Sequence, residues 1–107
     1  MNEINTIMEP FVWNYTQYKG TNFSRLLLID TDMTGAEYNL EITGAKGTIL
    51  PEVKVIKIEN NTTLLGISLT AKQTAMMANQ NKWVFKITFK GETFLCWIGQ
   101  FNLKVAI

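Results

Sequence analysis

Few residues of this 107-residue chain have the types or spacing that chemistry needs. There is no histidine, which removes the commonest general base near neutral pH and the commonest metal ligand. The single cysteine, Cys96, lies in the apolar run 94–98, where burial suppresses the thiolate. It has no second cysteine for a disulfide or a zinc cluster, and no histidine to activate it as a nucleophile. Glu37 and Glu41 fall on one strand face about 13 Å apart at strand rise. That exceeds the roughly 5–9.5 Å between the carboxyls of a glycosidase pair. Asp30 and Asp32 share a loop, but two carboxylates make a poor calcium site. Gly44, Lys46 and Gly47 lack phosphate-loop spacing and sit between strands rather than before a helix. No catalytic residue, metal ligand or cofactor site is predicted.

Contact residues are easier to find. Lys82, Lys86 and Lys90 recur every four residues along one strand face, a row suited to an acidic partner. Such a row is also how an exposed sheet is kept from aggregating, and that solvated role is the default. Nucleic acid is not expected: Trp83, Phe85 and Phe89 project from the opposite face, and the net charge is only +1. Phe11, Trp13, Tyr15 and Tyr18 cluster near the N-terminus, where core packing and interface anchoring compete. Ile4 and Ile7, in the polar stretch that precedes them, complete the interface candidates.

These residues need a scaffold. Residues 1–10 are polar, end in Glu9-Pro10 and read as an arm; residues 11–107 form one domain. Hydrophobic residues make up 47% and charged residues 18%, a globular balance. No secretory signal is visible, and no apolar run approaches the ~20 residues of a membrane-spanning helix. Period-two alternation predicts strands over 11–18, 23–29, 36–43, 48–50, 53–58, 64–69 and 83–89. Further strands follow over 93–98 and on to residue 107, with a bulge at Gly99 and with Phe101, Leu103, Val105 and Ile107 facing inward. Thr70-Ala-Lys-Gln73 is a capping box opening about two helical turns over 70–78, with Ala75 and at least one of Met76 and Met77 packed on the sheet. About seven or eight short strands with one short crossover helix make an all-β sandwich.

Three segments resemble the small immunoglobulin-like domains of bacteriophage virion proteins, as at the N-terminus of siphophage upper baseplate proteins. They are Tyr18-Lys-Gly-Thr-Asn-Phe23 followed by Leu26, Leu27 and Leu28; Asp32-Met-Thr-Gly-Ala-Glu-Tyr38 followed by Leu40 and Ile42; and Ile67-Ser-Leu-Thr-Ala-Lys-Gln-Thr-Ala75 followed by Trp83, Phe85, Ile87, Gly91, Gly99 and Phe101. Phe85-Lys86 replaces the family's usual Tyr-Asp, and the arm lies outside the pattern. The resemblance implies an immunoglobulin-like sandwich with an assembly role, no enzymatic activity and no catalytic residues to carry over. Its partners would be other virion structural proteins, in a homo-oligomer or symmetric multi-copy array at a baseplate, tail or capsid, with no nucleic acid or membrane. The alternative is a carbohydrate-binding module, with exposed Trp and Tyr stacking on sugars.

Overall fold

The computed structural model describes residues 11–105. Nine strands and one helix follow in order: β1 (Phe11–Val12), β2 (Tyr15–Tyr18), β3 (Phe23–Ile29), β4 (Glu37–Gly44), β5 (Gly47–Ile49), β6 (Glu52–Glu59), β7 (Thr62–Leu69), α1 (Ala71–Ala75), β8 (Gln80–Phe89) and β9 (Glu92–Lys104). One sheet has the order β1-β9-β8-β4-β5, with β2 beside β9 on the same edge as β1; the other is β3-β7-β6. Every pairing is antiparallel except those of β1 and β2, which run parallel to β9. From Phe11 the chain runs in the first sheet, crosses to β3, returns for β4 and β5, crosses to β6 and β7, and returns for β8 and β9. This is the immunoglobulin-like sandwich. No helix among the described residues is long and apolar enough to cross a membrane.

Alternation builds the core. Leu40 and Ile42 from β4, Leu65, Ile67 and Leu69 from β7, Trp83, Phe85 and Ile87 from β8, and Trp97, Phe101 and Leu103 from β9 are all buried between the sheets. Met33, from the loop before β4, plugs one end. Buried Thr63 anchors that loop, donating to the Thr31 carbonyl at 2.8 Å and accepting from the Met33 amide at 2.9 Å. Two hairpins close on paired left-handed residues, Asn60-Asn61 and Lys90-Gly91, whose backbone twist matches that of the strands.

Four details depart from expectation. The segment 11–18 is two strands, because the chain jogs at Trp13-Asn14. The bulge in β9 falls at Cys96, not Gly99: Phe85 pairs with Trp97 and Lys86 with Leu95, leaving Cys96 unpaired. An extra residue there lets Cys96 and Trp97, neighbours in sequence, both pack on the core. The helix is shorter than expected, and although Met77 packs on the core as expected, Thr74 is buried in place of Ala75, which faces out with Met76. Finally, Val105 is exposed, and Ile107 lies outside the described residues.

Candidate interaction surface

The N-terminal aromatics hold the sandwich shut along one side. Trp13 packs edge-on to Trp97, ring centroids 5.2 Å apart, and lies 6.3 Å from Trp83. Tyr15 stands edge-on to Phe23 of the other sheet at 5.3 Å and to Trp83 at 5.6 Å, the offset geometry that aromatic quadrupoles favour. Arg25 covers the Tyr15 ring, its guanidinium 4.4 Å from the centroid, and its Nε donates to the Tyr15 hydroxyl. The Trp83 indole N–H donates to the Trp13 carbonyl at 2.7 Å. That carbonyl sits so close to Gly99 that a Cβ there would lie 1.9 Å from it. Gly99 is therefore a site of close backbone approach.

Of the residues expected to make contacts, Trp13 and Tyr15 are half-buried in this cluster, and Tyr18 is 55% exposed. The backbone of Phe11 pairs with Trp97; its side chain, like Ile4 and Ile7, lies outside the described residues. Lys82 and Lys86 are exposed on the outer face of β8, and Lys90 in the hairpin reaches over the Phe89 ring at 5.1 Å. Cross-strand register puts Val84 between the first two lysines and continues the row through Ile98 to Val12, which is 70% exposed. Lys82 and Lys86 thus flank a narrow apolar stripe. The single ion pair among the described residues, Lys57 with Glu59 at 3.1 Å, is elsewhere and exposed.

A second group of exposed apolar side chains lies on the other sheet, outside every expected contact. Leu26 and Leu28 are 65% and 64% exposed on the outer face of β3. Leu26 pairs with Gly66 and Leu28 with Leu64 on β7. From the far side Ile56, the unpaired residue of a bulge in β6, is 49% exposed and leans over Gly66. Four apolar side chains therefore share one outer face, with Lys54 and Lys57 along its rim. The sequence does hold a signal. In a two-layer sandwich only one face of a strand is covered, so the run Leu26-Leu27-Leu28-Ile29 must present half its side chains to the outside.

Burial pushes the Cys96 thiol up to about 11, and no three His, Cys, Asp or Glu side chains among the described residues converge as metal ligands. Asp32 accepts from the Thr34 hydroxyl and amide at 2.5 and 2.9 Å, which holds its carboxyl below the usual range. These bonds shape a loop. A shallow depression of about 410 Å³ lies beside it, lined by Thr31, Asp32, Thr34, Asn61, Phe89 and Lys90. A second, of about 330 Å³, is lined by Thr43, Gly44, Gln80, Asn81, Lys82, Gln100 and Asn102.

Fold and surface together define a small immunoglobulin-like β-sandwich with apolar side chains on both outer faces. No family model matches the chain, and neither does any curated protein.

Proposed function

We propose that this protein is a non-enzymatic structural subunit of a bacteriophage particle, working through repeated protein–protein contacts. The observation that carries the contact role is the apolar outer face formed by Leu26, Leu28, Leu64 and Ile56, since sheet faces left to water are ordinarily polar. The placement in a phage particle rests on the resemblance of three segments to virion domains. Weak contacts of this size hold when symmetry repeats them. The test is quantitative mass spectrometry of purified virions from the phage encoding the chain, with antibody labelling to locate it. The expected outcome is a fixed copy number relative to a neighbouring structural protein; absence from the particle removes the proposal.

Carbohydrate binding is the second reading, and the depression beside Phe89, with Asp32 and Asn61 near it, is what favours it. The exposed tryptophans it called for are missing at two positions, since Trp83 and Trp97 are each 2% exposed. Chemical-shift titration with a glycan panel separates the two. Saturable shifts at Asn61 and Phe89 support sugar binding, whereas an unmoved spectrum removes it.

A further inference from the structure

Sheet edges are sticky, and the edges of this molecule are treated unequally. β5 has only three residues, and Pro51 follows two residues after it. The edge made by β1 and β2 is interrupted at Trp13-Asn14, where the Asn14 side chain accepts from the Gln100 amide at 3.0 Å. β6 is bulged at Ile56 and carries Glu52, Lys54, Lys57 and Glu59. β3 has none of these devices beyond a single charge. It pairs with β7 in unbroken register over seven residues, has no proline or bulge, and among the described residues has no partner on its other side. Its one charge, Arg25, lies against the rings of Tyr15 and Phe23.

We propose that β3 pairs edge to edge with β3 of a second copy, antiparallel about a two-fold axis through Leu26, joining two three-stranded sheets into one of six. Strand alternation requires outward residues to meet outward residues. Centring on Leu26 sets Leu26 against Leu26 of the second copy, Leu28 against Ser24, Arg25 against Leu27, and Phe23 against Ile29. No charge meets its like. The same operation centred on β6 sets Lys54 against Lys57 and Glu52 against Glu59, so like charges oppose at every charged position. In the central register the sequence thus penalises at β6 what it permits at β3. The two exposed Leu26 side chains cover each other, and Leu28 of each copy is covered by the neighbouring strand.

The area sets the strength. Seven residues at strand rise and a sheet about 10 Å thick give roughly 230 Å² per partner, well below the ~800 Å² of a standard stable interface. The pair is weak in free solution and suited to copies already held close together. It deepens the assembly reading by naming a partner and an edge, yet it rests on the strand geometry and is tested without a virion.

Leu26 faces itself across the axis, so a charge there repels its own copy and attracts the opposite charge. Sedimentation equilibrium of the full chain from about 20 μM to about 2 mM is expected to show an average mass rising with concentration from 12.2 kDa toward twice that value. Leu26→Lys and Leu26→Glu are each expected to weaken association at least about tenfold, while an equimolar mixture of the two regains it. Both changes are at an exposed position, and unaltered thermal melts verify that the variants fold. A monomer throughout the series overturns the pairing, as does a variant that associates like the wild type or a mixture that gains nothing. Monomeric chains in which the β3 amides directed away from β7 resist hydrogen exchange would show the edge covered within its own chain, which also overturns it. None of these outcomes touches the virion copy-number result, so the two proposals fail separately.

Discussion

Gly99 is the residue on which the first two strands depend. Its missing side chain lets the Trp13 carbonyl come down onto β9 and accept from the Trp83 indole. Gly99→Ala forces that carbonyl away and leaves a buried indole N–H unpaired. The expected cost is about 3 kcal/mol, read as a lower midpoint in urea denaturation with an unchanged slope. Cys96 makes the converse point, a reactive residue type held inert. Its thiol, raised from 9.0 to about 11 by burial, carries on the order of 100-fold less thiolate at pH 8 than an unburied one. Alkylation by iodoacetamide should be correspondingly slow at pH 8 and accelerate through pH 11. The sign follows from the raised value: the folded state keeps its proton between pH 9 and pH 11 while the unfolded state loses it. Cys96 therefore favours folding below pH 9, and that contribution is lost as pH rises through the folded value. A rapid reaction at pH 8 would contradict the bulge geometry that buries it.

At the scale of elements, α1 behaves as a clamp more than as a helix. Its five residues cannot hold themselves, so the capping box at Thr70 and Gln73 and the contacts of Thr74 hold them in place. The Thr74 hydroxyl donates to the Thr21 carbonyl at 2.8 Å and accepts from the Gly20 amide at 3.0 Å, while the Asn22 side chain accepts from the Ala71 amide at 2.8 Å. The helix thereby ties the turn between β2 and β3 to the end of β7. Thr74→Val keeps the shape and removes the hydroxyl, so it should cost about 1–3 kcal/mol; Thr74→Ser should recover most of that loss in the same denaturation series. Most elements were legible in the sequence, because alternation in segments such as Ala36–Ile42 and Trp83–Phe89 reports directly which face is covered. The misplaced details share one cause. The bulge at Cys96, the jog at Trp13 and the inward turn of Thr74 are set by partners about 10 to 85 residues away, and a local pattern carries no trace of them.

At the scale of the molecule, the two sheets are unlike on the outside. The larger bears a narrow apolar stripe between Lys82 and Lys86, and the smaller bears the broader face around Leu26 and Leu28. The lysine row was readable from its spacing. The broader face is not legible there, because its leucines sit in a run that looks like core until the number of layers is known. A further consequence lies in the parallel pairing of β1 and β2 with β9, six residue pairs side by side. If the chain is drawn apart beyond Phe11 on one side and Lys104 on the other, those strands slide lengthwise past each other. Their hydrogen bonds then bear the load together instead of opening one after another as in an unzipped hairpin. An optical trap gripping those two ends should therefore record a higher rupture force than one gripping the two ends of the β8–β9 hairpin. By its topology, the domain should resist tension applied along its own chain better than it resists the opening of its hairpins.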